Sequence, residues 1–224
     1  MKYFLIISSI FLISLSFMNA QDGPCLPDCE DSQWIPAHPN DAFEIPITLC
    51  GKEFFIRYRH RIACDIWYDY YIEEIGSYEN GAVRDCINNE YNSLNNFVRA
   101  AVELLITINP AAFPPAPGSG DCETNWRVLK GSCWEVTFYT GGIGSPELQS
   151  ETENLVNSYG YAEFAEPCTT NDCCLEYFTV CDDGAGNRDI TQTGYLPPED
   201  PECEGLIGND TWDCQPVCGS VYNR

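Results

Sequence analysis

The residues best suited to chemistry lie in one short stretch, DIWYDYYIEE, which runs from Asp65 to Glu74. In a β-strand, alternate side chains point to the same face of the sheet, so Trp67, Asp69 and Tyr71 would share one face. Aromatic rings pack against the apolar faces of sugars, and a carboxylate accepts hydrogen bonds from sugar hydroxyls. This face is therefore a candidate carbohydrate-binding surface.

Three arginines on the preceding strand offer a second interpretation of that face. Arg57, Arg59 and Arg61 alternate along EFFIRYRHRI, and an antiparallel turn would place Arg61 opposite Trp67 and Arg59 opposite Asp69. A guanidinium over an exposed ring contributes about 0.5–1 kcal/mol, and an exposed ion pair contributes roughly 0–1 kcal/mol. We expect this face mainly to satisfy its own charges, with ligand binding by the same side chains as the alternative.

The elements that position these residues begin with a predicted β-hairpin, AFEIPITLCGKEFFIRYRHRI. A turn at Gly51 and Lys52 would place Ile47 opposite Ile56, with apolar side chains on one face. Pro46 has no N–H to donate, so the first strand is predicted to lie at an edge of the sheet.

Further along the chain the pattern changes. Apolar residues recur every three or four positions over residues 83–107, which predicts one long amphipathic helix packed on the sheet. NWRVLKGSCWEVTFYT predicts a second hairpin with its loop at residues 130–132, and CCLEYFTVCDDGAGNRDITQTGYL predicts a third. The expected fold class is α+β and β-rich, with antiparallel hairpins, this one helix, and disulfide-rich irregular ends.

Composition also predicts the processing and division of the chain. Residues 1–20 carry one lysine, a long apolar run and a small residue at the cut, as a secretory signal peptide does. Residues 21–109 then form a stapled sheet-plus-helix unit, and residues 110–120 form a proline-rich connector. Residues 121–224 form a cysteine-rich β unit.

The chain contains 14 cysteines, an even number, which in an exported protein predicts a framework of disulfides. They are Cys25, Cys29, Cys50, Cys64, Cys86, Cys122, Cys133, Cys168, Cys173, Cys174, Cys181, Cys203, Cys214 and Cys218. Neighbouring residues cannot be bridged without strain, so Cys173 and Cys174 are expected to bond different partners. With only two histidines and no C-x-x-C, we expect no resident metal or cofactor beyond weak Ca²⁺ binding near Asp182 to Asp189.

The net charge of the chain excludes some classes of binding partner. The chain has 34 acidic against 11 basic residues, a formal net charge of −23 that repels nucleic acids and anionic membranes. We expect a secreted or periplasmic protein without a membrane span in the mature chain, with a non-enzymatic structural, adhesive or surface-recognition role. Its partner would be a glycan or another extracellular protein. Carbohydrate binding is one alternative, and an acid hydrolase using a carboxylate pair is another, although no catalytic residue stands out.

Overall fold

The computed structural model describes residues 32–140, 161–168, 173–196, 203 and 213–218. Nine strands form one sheet: β1 (Phe43–Leu49), β2 (Lys52–Ala63), β3 (Trp67–Ser77), β4 (Cys122–Gly131), β5 (Cys133–Thr140), β6 (Tyr161–Pro167), β7 (Cys173–Asp182), β8 (Arg188–Leu196) and β9 (Gln215–Pro216). Helices α1 (Ala82–Cys86) and α2 (Leu94–Ile108) follow β3, and a 3-10 turn, Pro39–Asp41, precedes β1. The predicted signal peptide, Cys25 and Cys29 lie outside the described residues.

The sheet forks at its central strand, β3. One edge of β3 pairs along its length with β2, which is followed by β1. The other edge pairs with β4 in parallel over Tyr68–Ile72 and with β6 antiparallel over Ile75–Ser77. One branch continues from β4 to β7 and β8, and the other from β6 to β5 and β9. Strands from both sides of the predicted connector thus pair in one sheet, and the division of the chain into the units 21–109 and 121–224 stays a prediction.

The first predicted hairpin forms, but with a register shifted by two residues. Its turn lies at Cys50 and Gly51, whose φ values of 52° and 70° suit a type I′ turn. Ile47 consequently pairs with Phe54 rather than with Ile56. An even shift keeps every side chain on its predicted face. Among the described strands β1 pairs only with β2, so Pro46 does lie in an edge strand.

The next turn is shifted in the same way. Arg61 pairs with Asp69 rather than with Trp67, and Arg59 pairs with Tyr71 rather than with Asp69. Between Arg57 and the next residue of β2 the register jumps, because β3 carries Glu73 as an extra residue in a bulge. The predicted grouping of side chains by face is therefore correct, although the predicted partners are wrong.

The second predicted hairpin is wrong. β4 pairs with β3 and β7, whereas β5 pairs with β6 and β9, so the chain continues through Ser132 in the same direction. Gly131, which suggested a turn, instead permits a close approach: a Cβ there would lie 2.7 Å from the Cβ of Pro167. The third hairpin is correct, since β7 and β8 pair antiparallel around residues 183–187.

The prediction of one long helix over residues 83–107 is also wrong. α1 passes into a π-helical turn, Ile87–Tyr91, and the helical path ends at Asn92, whose φ is 59°. Ser93 then starts a new helix, because its side chain accepts a hydrogen bond from the backbone N–H of Asn96. The apolar face of α2 still packs on the sheet, burying Leu94, Phe97, Val98, Ala101, Val102, Leu105 and Ile106.

The proline-rich connector packs against the same core. Phe113 is buried among the aromatic rings of Tyr70 and Trp126. The Asn109 side-chain oxygen accepts hydrogen bonds from the Tyr70 hydroxyl at 3.1 Å and from the Phe113 N–H at 3.0 Å. The connector is therefore anchored to the helix-covered face of the sheet.

Disulfides join distant parts of the sheet and its flanking segments. Five pairs are defined: Cys50–Cys86, Cys122–Cys181, Cys133–Cys203, Cys168–Cys214 and Cys174–Cys218. Cys64 and Cys173 are disulfide-bonded as well, so the adjacent cysteines Cys173 and Cys174 do bond different partners. Among the described helices, none is long and apolar enough to cross a membrane.

Candidate functional site

The predicted site residues lie on the face of the sheet opposite the helices, and a buried ion cluster forms its centre. Asp69 is fully buried and lies between Arg61 and Arg127. Arg61 Nε donates to Asp69 Oδ2 at 2.9 Å. Arg127 donates to both carboxylate oxygens, at 2.6 and 2.7 Å. Two guanidinium groups thus share one carboxylate, in a bidentate geometry with one of them.

Aromatic rings cover the two arginines of the cluster and the neighbouring Arg59. Trp34 lies over the Arg61 guanidinium, with the ring centroid 4.4 Å from Cζ, and the Tyr71 ring lies 5.2 Å from Arg59 Cζ. The Trp67 ring covers Arg127 at 4.6 Å. Such contacts stabilise a desolvated guanidinium by about 2 kcal/mol. The face therefore satisfies most of its own charges within the sheet.

The structure brings all six predicted site residues to this face but leaves few of them accessible. Asp69, Tyr71, Arg59 and Arg61 are buried, whereas Trp67 and Arg57 are half-buried. A ligand-binding role for the six stays a prediction, and the two half-buried side chains are the part that a glycan would meet.

Sequence reasoning missed one of the three members of this cluster, Arg127. Arg127 reaches Asp69 only because β4 pairs in parallel with β3, and no local pattern announces a parallel neighbour. Lys130 and Glu176 form a further buried ion pair, on the helix-covered face, between the antiparallel strands β4 and β7. It was missed because the two strands are far apart in the chain. The alternation of Arg127 and Leu129 in β4 was the available signal, but it does not identify the partner strand.

A second row of charges crosses the same face nearer the end of β3. Cross-strand pairing aligns Glu44, Arg57 and Glu74 on β1, β2 and β3, and pairs Glu166 with Glu135 on β6 and β5. Arg57 Nη1 lies 3.3 Å from Glu74 Oε1. Burial outweighs this ion pair and, with Glu166 and Glu44 nearby, raises the pKa of Glu74 to about 7. Arg57 is therefore the only basic residue among the described members of this row, beside several carboxylates.

A depression follows the edge strand β1, and we call it the acidic groove. It has a volume of about 570 Å³. Its lining comprises Glu44, Pro46, Ile47, Thr48, Glu53, Phe54, Phe55, Ser77, Tyr78, Glu79 and Ile108. The groove follows β1 from Glu44 to Thr48, about 13 Å at the rise of a strand.

The acidic groove combines unpaired carboxylates with aromatic rings. Glu44, Glu53 and Glu79 are exposed, and within the described part of the chain none of them lies within 4.0 Å of a basic group. Beside them the rings of Phe55 and Tyr78 stack, with centroids 5.0 Å apart and planes 25° apart. Carboxylates around an aromatic pair suit an organic cation, which contacts the ring face and the oxygens together.

Backbone packing positions these rings. Gly76 lies between Phe55 and Phe164, and a Cβ there would lie 2.4 Å from Phe55 Cζ and 2.5 Å from Phe164 Cδ1. Ser77 Oγ donates to the Glu53 carbonyl at 2.8 Å, which ties the end of β3 to the start of β2. The glycine thus lets the Phe55 ring lie against the sheet, where it forms the floor of the acidic groove.

In the loop considered for weak Ca²⁺ binding, the carboxylates accept hydrogen bonds from the loop's own backbone. Asp183 Oδ1 accepts hydrogen bonds from the backbone of Ala185 and Asn187, at 2.8 and 3.0 Å. The Asn187 amide and these N–H groups lower the pKa of Asp183. Asp182 Oδ1 likewise accepts from Gly184 at 2.8 Å. These contacts explain the conformation of the loop without an ion, and Ca²⁺ binding there stays a prediction.

Comparison with known proteins gives no relative for this chain. It matches no protein-family model, no curated protein and no solved structure. The functional assignment therefore depends on the geometry of the site.

Proposed function

We propose that this is an extracellular, non-enzymatic recognition protein that binds a cationic ligand in the acidic groove. The observation that carries this proposal is a set of three exposed carboxylates, Glu44, Glu53 and Glu79, none of which forms an ion pair with a described residue. Arg57, which lies opposite Glu44, forms its ion pair with Glu74 instead. The three carboxylates surround the stacked rings of Phe55 and Tyr78. A lysine or arginine side chain supplies the missing positive charge and an alkyl stem for the rings.

The charge of the chain supports the same ligand class. A formal net charge of −23 attracts cations over a distance of about one Debye length and accelerates their association. At the acidic groove this attraction meets carboxylates that are not neutralised locally. Around Asp69, by contrast, the carboxylate already has two guanidinium partners. Cationic ligands are therefore directed to the groove and not to the buried ion cluster.

The disulfides support a location outside the cytosol. Five defined disulfides fit an extracellular, stable protein, since such bonds persist in oxidising compartments. With residues 1–20 as a signal peptide, we place the mature protein outside the cell or in a periplasm. There it would act by adhesion to, or recognition of, a basic segment of another molecule.

Isothermal titration with a lysine-rich peptide tests this function. The variant Glu53→Gln with Glu79→Gln should bind about tenfold more weakly than wild type, since two exposed ion pairs contribute about 1.4 kcal/mol together. The matched control is Glu90→Gln with Asp189→Asn, which removes two exposed acids away from the groove. Equal weakening in both variants would show that only net charge matters, and the proposed site would be wrong.

A second candidate, hydrolysis by a carboxylate pair, has one specific observation in its favour. Glu74 has a pKa near neutrality, and neighbouring Glu166 accepts hydrogen bonds from the hydroxyls of Thr137 and Tyr139, at 2.5 and 3.2 Å. A protonated acid beside a hydrogen-bonded carboxylate is the arrangement that glycoside hydrolysis uses. The test is release of a chromophore from a pool of aryl glycosides. Activity that falls at least 100-fold in Glu74→Gln would support this candidate, and wild-type inactivity across the pool would eliminate it.

A further inference from the structure

We infer that the cationic ligand is an extended peptide segment, with alternating basic and apolar residues, that pairs its backbone with the free edge of β1. This inference rests on the proposed function, because it names the partner of the acidic groove. Its evidence is the direction of the β1 backbone groups, the position of Pro46 and the shape of the groove.

The turn that joins β1 to β2 determines which backbone groups face outward. In a two-residue turn the flanking residues, here Leu49 and Lys52, form a hydrogen-bonded pair. Hydrogen bonding alternates along an antiparallel pair, so Ile47 and Ile45 also face β2. The intervening residues Glu44, Pro46 and Thr48 direct their backbone groups to the other edge. Within the described ranges, no strand or loop backbone bonds to that edge.

Pro46 occupies one of the outward positions, which explains why a proline is tolerated in the middle of this strand. It removes one donor, but the free edge keeps the N–H groups of Glu44 and Thr48 and three carbonyls. A proline and a carboxylate on an edge strand oppose pairing with another copy of the same chain. The net charge of −23 adds to that opposition. A basic peptide is attracted by the same negative charge that repels a second copy of the chain. The edge strand therefore favours a basic peptide over self-association.

The walls of the acidic groove predict the sequence of the segment. Glu44 and Thr48 line the side away from the helices, together with Glu53, whereas Ile47 and Ile108 line the helix side. A strand places alternate side chains on opposite faces. Every second residue of the peptide therefore faces carboxylates, and the residues between them face isoleucines. The groove is about 13 Å long, which accommodates four to five residues in extended form.

Peptides methylated on backbone nitrogen test the pairing without altering the protein. We would titrate wild type with a six-residue peptide of alternating lysine and valine, and with two forms methylated at alternate nitrogens. Only one set of nitrogens can face β1, so one form should bind about tenfold more weakly and the other should bind like the parent peptide. Equal binding by all three forms would overturn the backbone pairing and leave the proposed function intact.

Two substitutions in β1 give an independent check. Thr48→Pro removes an outward donor and should weaken binding about tenfold, while Thr48→Ala, which keeps the N–H, should not. Pro46→Val restores a donor and should strengthen binding several-fold. Circular dichroism confirms folding of each variant. Unchanged affinity in folded Thr48→Pro and Pro46→Val would contradict the pairing. If no lysine-containing peptide binds wild type at all, the proposed function itself fails.

Discussion

The Asp69 cluster and the acidic groove both combine carboxylates with aromatic rings, but their charges differ in pairing and exposure. Around Asp69, every described charge has a partner, and the cluster is buried beneath aromatic rings. In the acidic groove the carboxylates of Glu44, Glu53 and Glu79 are exposed, and none of them forms an ion pair with a described residue. The first arrangement stabilises the fold, whereas the second leaves charge available for a ligand.

Position in the sheet accounts for the difference between Asp69 and Glu44. β3 is central, so Asp69 receives one arginine from β2 and another from β4. Among the described strands β1 has a neighbour on one side only. Arg57, the basic residue opposite Glu44, forms its ion pair with Glu74. A charge in a central strand can be neutralised from two sides, while a charge at an edge depends on a single strand. Unpaired charge on an edge strand is therefore a stronger indication of binding than charge in the middle of a sheet.

The largest effect is expected from a substitution in the buried Asp69 cluster. Asp69→Asn leaves two buried guanidinium groups without a counter-charge and should lower the free energy of unfolding by about 3–5 kcal/mol. Urea denaturation measures this loss. Glu53→Gln, in the exposed acidic groove, should change stability by no more than about 0.5 kcal/mol. Similar losses in the two variants would contradict the distinction between the regions.

An intermediate effect is expected from pH, because Glu74 lies between the two regions. An unfolded glutamate titrates near 4.5, whereas burial raises the pKa of Glu74 to about 7 in the fold. The folded state then binds the proton more tightly than the unfolded state does. The contribution of Glu74 to the free energy of unfolding is therefore present below pH 4.5 and is lost as pH rises toward 7. The loss is at most about 3 kcal/mol. Glu74→Gln should flatten the decline in stability between pH 5 and 7, and an unchanged slope would refute the assignment.

A smaller effect is expected at the floor of the acidic groove. Gly76→Ala forces a Cβ against Phe55 and Phe164 and should destabilise the fold by about 1–3 kcal/mol through overpacking. Because Phe55 also lines the groove, this variant should weaken peptide binding as well. Gly194→Ala is the matched control, since its Cβ would lie 3.8 Å from Tyr177, an ordinary contact. Denaturation and titration of both variants separate packing from a general effect of removing a glycine.

Sequence patterns predicted the faces of the sheet better than its neighbours. Alternation placed Arg59, Arg61 and Asp69 on one face correctly, because a register error of two residues does not change the face of a side chain. The turn residues were misplaced because Cys50 adopts a positive φ, which a sequence rule assigns to glycine. The break at Asn92 was missed because the apolar spacing continues through it.

The candidate site was harder to predict than the fold. Arg127 is 58 positions from Asp69 in the chain, and their contact depends on a parallel strand pair. The acidic groove joins residues from β1, β2, the end of β3 and the end of α2. None of its acids forms a local pattern, and in a chain with 34 acidic residues an individual glutamate carries no signal. Its lack of an ion-pair partner among the described residues becomes visible only in three dimensions.

Chemical-shift mapping by NMR tests the central claim most directly, because it reports both charged regions in one titration. A peptide of alternating lysine and valine, added to ¹⁵N-labelled protein, should shift the amide signals of Glu44, Thr48, Glu53 and Tyr78. The signals of Asp69 and Arg127 should stay unchanged. Shifts centred on Trp67 and Arg57, or no shifts in the acidic groove at saturating peptide, would contradict the account.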